Sequence, residues 1–129
     1  AFTMLHDVRV RPGGFGKQLE LMSAIWKAMT DFGVSEAEWQ PYWRNKKFVE
    51  AQPESVKVSF YLKGSQALLV VSNLSADQEA EAQITLDKDA LCHFKSACDA
   101  ITGENLTIED NRLRIALPPV RMRLVRVTQ

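Results

Sequence analysis

The chain has 129 residues, of which 46% are hydrophobic and 25% are charged. These values are ordinary for a folded globular protein and allow one domain, or one domain with an appended element. Sixteen basic and sixteen acidic residues give a net charge of zero, which removes the electrostatic basis for a nucleic-acid partner. Nor is there a run of roughly 18 apolar residues that could span a bilayer, so we expect no membrane partner.

The first third of the chain predicts a strand followed by an amphipathic helix. Residues 2–10 interleave apolar and polar positions, and residues 16–32 carry an apolar stripe at helical spacing that ends at Gly33, a typical C-terminal cap. Because the stripe is wide, we expect the helix to pack on two sides, one of them against the rest of this chain. The sequence begins inside the strand-like run at Phe2, so we expect it to be a piece of a longer protein.

His6 and Asp7 end the predicted first strand, ahead of a loop and the helix. Functional groups gather at this position in the βα units of a parallel barrel. A histidine that caps a strand or lies on the surface is the commoner alternative. The glycine-rich residues 13–16 lack the spacing of a phosphate-binding loop. We keep His6 and Asp7 as candidate substrate-binding residues.

Three large aromatic residues, Trp39, Tyr42 and Trp43, fall within five positions. Such rings can stack on the apolar faces of sugars, with Arg44 and Asn45 adding hydrogen bonds. They can equally fill the space between a helix and a sheet. Both alternatives stay open, and the three rings are the remaining candidate substrate-binding residues.

The segments on either side of this cluster are predicted from local signals. Ser35 and Glu38 have the spacing of a capping box, which predicts a short helical turn that begins at Ser35. Residues 46–54 are mostly polar and contain Pro53, which is typical of a connector.

From Ser55 onward the hydrophobic period becomes two, which predicts an antiparallel β-sandwich. The predicted strands are residues 56–62, 67–71, 79–86, 94–100, 106–108, 113–117 and 122–127, with a hairpin turn at 63–66 and a tight turn at Asp110-Asn111. The fold class is therefore mainly β, α+β overall, with the sandwich preceded by the N-terminal strand and amphipathic helix.

No catalytic constellation is recognisable in the β half. Its acidic residues fall at turns or on outward positions of strands, where solubility and turn chemistry place them anyway. Arg121 and Arg123 are expected on the outward face of the last strand, which favours a solvated surface over a phosphate-binding patch. We therefore predict no catalytic residue in this chain.

Cys92 and Cys98 would lie about 20 Å apart on an extended segment, too far for a disulfide, whose Cα atoms lie about 6 Å apart. The sequence favours free thiols, although a tight turn between them would allow a bridge. Two cysteines and two histidines without zinc-site spacing predict no metal site, and we expect no cofactor.

Several strings together resemble a known kind of domain. "LLVVSNLS", "EAEAQITLD", "ACDAITGENL" and "RIALPPVRMRLVRV" occur in this order, and they resemble the C-terminal β-sandwich that follows the catalytic barrel of many glycoside hydrolases. With "MLHDV" and "WQPYWRN" ahead of "VKVSFYLKG", the chain looks most like bacterial glycosidase-like proteins related to family 123, the N-acetylgalactosaminidase type.

The resemblance implies a division of the chain and a function. Residues 1–50 would be the tail of an upstream catalytic barrel, and residues 51–129 the C-terminal antiparallel sandwich. The family's catalytic acid pair lies in the barrel, and no adjacent Asp-Glu pair is present here. The implied function is a non-catalytic accessory domain that packs against and stabilises the barrel of the same polypeptide. The alternative is a carbohydrate-binding module with an aromatic platform. Localisation stays open, with a secreted or periplasmic parent as one alternative.

Overall fold

The structure is a computed structural model that describes residues 17–129. The predicted strand at 2–10, His6, Asp7 and the glycine-rich loop at 13–16 lie outside the described residues. The described part contains one α-helix, α1 (Lys17–Phe32), a 3-10 turn at Val34–Glu36 and ten strands. The strands are β1 (Glu38–Gln40), β2 (Val49–Gln52), β3 (Val56–Lys63), β4 (Gln66–Asn73), β5 (Ala80–Leu86), β6 (Ser96–Asp99), β7 (Asn105–Leu106), β8 (Ile108–Glu109), β9 (Arg112–Leu117) and β10 (Met122–Thr128).

The strands form two antiparallel sheets that pack face to face. The six-stranded sheet has the order β1-β3-β4-β10-β6-β7, and the four-stranded sheet has the order β2-β5-β9-β8. Side chains that point inward from both sheets form the larger core, which includes Phe60, Ile84, Phe94, Leu113 and Val125, all at most 1% exposed. The predicted fold class, an antiparallel β-sandwich with a preceding helix, is confirmed.

Helix α1 covers the outer face of the six-stranded sheet. Its buried residues recur three and four positions apart, as one face of a helix requires, and they pack on apolar residues of β3, β4 and β10. These buried helical residues are Ile25, Ala28, Met29 and Phe32. The helix ends as predicted at Gly33, whose φ of 85° lies in the left-handed region and whose N–H reaches the carbonyls of Met29 and Thr30.

Most predicted strands are confirmed, and so are two predicted turns. Gly64 has a φ of 59° in the hairpin that joins β3 to β4. Asp110 and Asn111 have φ values of 53° and 60° between β8 and β9, the conformation that suits the twist of a tight hairpin. Asn111 is fully buried, with its side-chain amide donating to the carbonyl of Cys92 and accepting from the N–H of Phe94.

The predictions for residues 35–54 are wrong in two places. Ser35 is not the N-cap of a helical turn, because Gly33 holds that position and the turn is a short 3-10 segment without a side-chain cap. Glu38 opens β1, which pairs with the end of β3, so tertiary pairing prevails over the capping signal. The supposed connector contains β2, which pairs with β5.

The expected outward position of Arg123 is also wrong. Arg123 alternates with Val125 and Val127, whose side chains lie in the core between the sheets. Its side chain is only 25% exposed, and its Nε lies 3.0 Å from Oδ2 of Asp99. An arginine is accommodated at this inward position because it lies at the end of the sandwich, where Asp99 supplies the opposite charge. Arg121 is exposed, as expected.

The two ends of the sandwich differ in what they carry. The hairpin end is the β3–β4 turn at residues 63–66. Helix α1 ends there. The ring of Phe32 lies under the guanidinium of Arg126, and the backbone carbonyl of Phe32 accepts a hydrogen bond from Lys63 Nζ. We call the opposite end, formed by Leu21, residues 74–79 and residues 118–121, the entry end. We assign Leu21 to this end because about 16 Å of helix separates it from Phe32 and because Leu74 and Met122, next to this end, pack against the cluster that contains α1.

Within residues 17–129 no helix is both long and apolar enough to cross a membrane. Cys92 and Cys98 are both free thiols, and each is half-buried.

Candidate functional site

The three predicted aromatic residues do not form one flat platform. Trp39 is half-buried and lies against Tyr61, with ring centroids 4.6 Å apart, on the side of the sheet that the helix covers. Tyr42 and Trp43 contact each other edge to face, with centroids 5.1 Å apart and planes at 89°. Trp43 is the exposed ring of the three, with 49% of its surface accessible. Their role in substrate binding stays a prediction.

Tyr42 and Trp43 line a cavity of about 570 Å³, which we call the Trp43 groove. This volume falls within the range of small-molecule sites. Two further cavities, of about 310 and 490 Å³, have no aromatic residue in their walls. The lining residues of the Trp43 groove are Tyr42, Trp43, Asn45, Lys46, Val49, Glu50, Ala51, Gln52, Val56, Lys57 and Val58.

The Trp43 groove exists because two edge strands fail to cover the sandwich completely. In the six-stranded sheet, β1 pairs only with residues 60–62 of β3, so the first part of β3 has no strand on that side. In the four-stranded sheet, β2 is the edge strand and faces this opening. Packed sheets lie about 10 Å apart, and the loop from Pro41 to Lys46 crosses the gap.

Asn45 fixes that loop by bonding to both sheets. It is 3% exposed, and its Nδ2 donates to the carbonyl of Val58 on β3 at 2.8 Å. Its own carbonyl accepts from the N–H of Val49 on β2 at 3.0 Å. A second tie runs from the N–H of Tyr42 to Oγ of Ser59 at 3.0 Å. The backbone that carries Trp43 is therefore held by hydrogen bonds to both sheets.

Polar residues are also among those that line the groove. Lys46, Glu50 and Gln52 are exposed and Lys57 is half-buried. The structure gives these four side chains no hydrogen-bond or ion-pair partner, as far as its described residues go. Glu50 and Gln52 alternate with core-facing residues of β2, and Lys57 alternates with core-facing residues of β3, so these three side chains point to the outer faces of the two sheets. The sequence prediction missed Lys46, Glu50 and Gln52 because residues 46–54 were interpreted as a connector.

Two carboxylates do approach each other, but both bind one arginine. Asp99 Oδ2 lies 3.0 Å from Arg123 Nε, and Glu104 Oε2 lies 3.2 Å from Arg123 Nη2. Burial acts to raise the pKa of Asp99, but the N–H groups of Thr102 and Ile101 and the Arg123 guanidinium outweigh it, so the pKa is lowered. A carboxylate whose pKa is lowered and which three donors hold suits an ion pair better than proton transfer near neutral pH.

No group of three His, Cys, Asp or Glu side chains within the described residues is placed to hold a metal ion. His6 and Asp7, the remaining predicted site residues, lie outside those residues.

The fold occurs in solved glycoside hydrolases. A noncanonic maltogenic α-amylase from Thermotoga neapolitana aligns over 95% of this chain and 28% of its own, with 14% identity and a TM-score of 0.59. An Anoxybacillus α-amylase aligns over 92% of this chain and 24% of its own, with 8% identity and a TM-score of 0.62. At such low identity the likeness shows the fold alone, and this chain spans about a quarter of those proteins.

A GH27 β-L-arabinopyranosidase from Geobacillus stearothermophilus aligns over 60% of this chain and 18% of its own, with 16% identity and a TM-score of 0.52. Comparison with curated proteins gave no match. At the level of sequence families, residues 22–105 match "Glycoside hydrolase 123, C-terminal domain". The match covers well over half of the chain and confirms the resemblance noted in its sequence strings. The chain therefore belongs to the glycoside hydrolase 123 C-terminal domain family.

Proposed function

We propose that the chain is a non-catalytic accessory domain that packs through its entry end against the catalytic barrel of a glycoside hydrolase and stabilises that barrel. The observation that carries the proposal is the exposure of apolar side chains at this end. Leu21 and Val120 are 53% and 57% exposed. Exposed apolar side chains mark an interaction site when they belong to one contiguous patch, and we place both of them at this end.

Three apolar residues at or next to the entry end are only partly covered. Leu74, Ile101 and Met122 are half-buried and pack against the cluster under α1. Leu74 directly follows β4, and Met122 lies two residues after Val120, so partly covered apolar surface is found next to the exposed valine.

The backbone at Val120 supports the same surface. Its φ of 56° is rare for a β-branched residue and costs energy. The strained turn is held by a bond from the N–H of Val120 to the carbonyl of Ser75 at 3.1 Å. Such strain at an exposed apolar residue is easier to understand if the side chain contacts a partner.

The two broad faces of the sandwich suit docking less well. Helix α1 already covers the outer face of the six-stranded sheet. The outer face of the four-stranded sheet presents exposed Glu81, Gln83, Arg112 and Arg114, the composition of a solvated face.

Association of the chain with its separately expressed upstream catalytic domain tests the proposal. Calorimetry would measure the dissociation constant for the wild type and for Leu21→Asp, Val120→Asp and Glu81→Lys. Desolvating the exposed half of a leucine contributes about 1–2 kcal/mol, so each Asp variant should bind about 5- to 30-fold more weakly. Glu81→Lys is the matched control on the solvated face and should bind as the wild type does.

The proposal fails if the two parts do not associate, or if Glu81→Lys weakens binding as much as the two entry-end variants do. Stabilisation is read separately, as a rise in the Tm of the catalytic domain when the chain is added.

The division into a barrel tail at 1–50 and a sandwich at 51–129 stays a prediction. Strands β1 and β2 begin before residue 51 and are hydrogen-bonded into the two sheets. The alternative function, a carbohydrate-binding module, also stays a prediction. It now depends on Trp43, because Trp39 lies against Tyr61.

A further inference from the structure

We infer that the loop at residues 43–47, which we call the basic loop, binds an acidic, extended protein segment that inserts one apolar side chain into the Trp43 groove. The inference goes beyond the docking of the entry end and does not depend on it. Its basis is the combination of a cluster of cations, an exposed aromatic ring among them and an apolar gap beside both.

The basic loop carries three cations and no acid. Arg44, Lys46 and Lys47 are all exposed, and Lys57 of β3 lines the same cavity as Lys46. As far as residues 17–129 go, none of these four side chains forms an ion pair. Because the net charge of the chain is zero, the cluster makes one part of its surface locally positive, and such a part attracts a partner of the opposite charge.

The exposed ring among these cations indicates a partner that also has apolar groups. Trp43 is 49% exposed and directly precedes Arg44 in the chain. The Tyr42 ring supports it edge to face, with centroids 5.1 Å apart. Tryptophan, tyrosine and arginine are the residue types that contribute most to the affinity of protein–protein interfaces. The charge and the ring together therefore fit a protein segment better than a simple anion.

The gap beside the loop can receive one apolar side chain. Val49 and Ala51 on β2 and Val58 on β3 line it, and all three belong to the core between the sheets or pack against it. Its volume of about 570 Å³ falls within the range of small-molecule sites, so a leucine or a phenylalanine side chain fits. The polar side chains of β2 do not compete for this space, because they point to the outer face of their sheet.

The loop is held in place by bonds that a ligand would not have to form. The N–H of Arg44 donates to the carbonyl of Pro41 at 2.9 Å, and Asn45 Nδ2 donates to the carbonyl of Val58 at 2.8 Å. A site that is ordered beforehand loses less conformational entropy on binding. The basic loop therefore presents its cations and its ring in a fixed arrangement.

An anionic membrane surface is the main competing partner, since basic residues beside a tryptophan can also contact lipid headgroups. A flat surface could meet the exposed side chains of the loop. It would not reach the walls of the gap, because Val49 and Val58 are only 8% and 3% exposed. A narrow, extended segment reaches both, so the geometry favours the peptide.

The test is titration of the ¹⁵N-labelled 129-residue chain with a capped seven-residue peptide that has leucine at its centre and Asp or Glu at every other position. We expect shifts confined to the Trp43 indole N–H and the amides of residues 43–47, 49, 51 and 57. A peptide with serine in place of the leucine should bind at least about threefold more weakly, and one with lysine in place of every acid should not bind. Raising the NaCl concentration from about 50 to about 300 mM should weaken binding several-fold.

Three outcomes of these titrations would overturn the inference. They are absence of shifts with the acidic leucine peptide, shifts located elsewhere, and equal binding of the lysine peptide. Vesicles of phosphatidylcholine and phosphatidylglycerol, mixed three to one, are the membrane probe. Sedimentation of the chain with these vesicles, without binding of the acidic peptide, would assign the basic loop to a membrane surface and would also overturn the inference.

Variants then separate the basic loop from a general effect of charge. Lys46→Gln should weaken binding about two- to fivefold, and Trp43→Ala at least about fivefold. Lys95→Gln is the matched control, because Lys95 is exposed and directly precedes β6, which β4 and β10 separate from β3. Its binding should equal that of the wild type. Equal affinities of Lys46→Gln and Lys95→Gln, or of Trp43→Ala and the wild type, with dispersed spectra showing all variants folded, would contradict the inference.

Discussion

Replacement of Asp99 is expected to be among the most destabilising polar substitutions in this chain. Asp99 is 6% exposed, and its Oδ1 accepts from the N–H groups of Ile101 and Thr102, both at 2.9 Å. Its Oδ2 accepts from Arg123 Nε at 3.0 Å. Removing one partner of a buried ion pair costs about 3–5 kcal/mol, and we expect this loss for Asp99→Ala.

The variant Asp99→Asn removes the negative charge but keeps a side-chain oxygen that can hold the turn at residues 101–102. The amide oxygen can still accept from Ile101 and Thr102, but the contact with Arg123 is lost. A hydrogen bond to a charged group contributes about 1.5–3 kcal/mol, and the 25% exposure of Arg123 favours the lower part of this range. Glu104→Gln is the matched control. Its carboxylate bonds to the same arginine but is 65% exposed, so its loss should be at most about 1 kcal/mol.

The dependence on pH gives an independent check. The folded-state pKa of Asp99 lies below its ordinary value, and the unfolded value is about 3.9. The ionised side chain therefore contributes its full stability above the unfolded pKa, and this contribution is lost as the pH falls through the folded pKa. Because Asp99→Asn lacks the carboxylate, its difference in unfolding free energy from the wild type should shrink on acidification.

Urea denaturation at pH 7 and at several values between pH 5 and pH 2 measures these free energies. The reasoning is refuted if Asp99→Asn and Glu104→Gln lose equal stability at pH 7. It is refuted equally if the difference between Asp99→Asn and the wild type stays constant down to pH 2.

Three further predictions concern the core, the groove and one thiol. Phe60→Ala removes a fully buried ring and should lower the unfolding free energy by about 3–5 kcal/mol, whereas Trp43→Ala should cost less than about 1 kcal/mol; equal losses in urea denaturation would contradict this. Asn45→Ala should lower the unfolding free energy by about 1–3 kcal/mol. It should also broaden the NMR resonance of the Trp43 indole N–H, because the hydrogen bond to Val58 that holds the loop is lost. An unchanged resonance would contradict this prediction. Burial raises the pKa of the Cys92 thiol, which leaves less of the reactive thiolate at pH 8. In a variant that lacks Cys98, Ellman's reagent should therefore react more slowly with the folded chain than with the unfolded chain. Equal rates would contradict this prediction.

Elements with long, regular patterns could be predicted from the sequence. Strand β4 is a continuous apolar run and lies at the centre of its sheet, buried along almost its whole length. The helix carries enough turns for its stripe to be unmistakable, and Gly33 marks its end. The hairpin at Gly64 follows from a residue that tolerates a positive φ between two alternating runs.

The short edge strands could not be predicted in the same way. β1 has three residues and β2 has four, which is too short for a period of two to stand out from a loop. Their existence depends on pairing with β3 and β5, and only the folded chain supplies those partners. Arg123 was misplaced for a related reason, since its inward position is stable only because Asp99 lies beside it.

The Trp43 groove was only partly foreseeable. The exposed aromatic residue was among the predicted candidates, but the cavity beside it arises from a mismatch between strand lengths. β1 stops short of the first part of β3, and nothing in the sequence around Gln40 announces where that pairing ends. The residues of β2 that border the groove became recognisable only once β2 was placed opposite β3.

The groove and the proposed docking surface lie on neighbouring parts of the molecule. Val56 opens the groove side of β3 and pairs with Asn73, and the N–H of Leu74 donates to the carbonyl of Ser55 at 2.8 Å. The start of β3 is thus tied directly to the entry end. A barrel docked at the entry end would therefore stand beside the groove, and its docking should shift the amide resonances of residues 55–58 as well as those of residues 74–79. Shifts of residues 74–79 alone would contradict this arrangement.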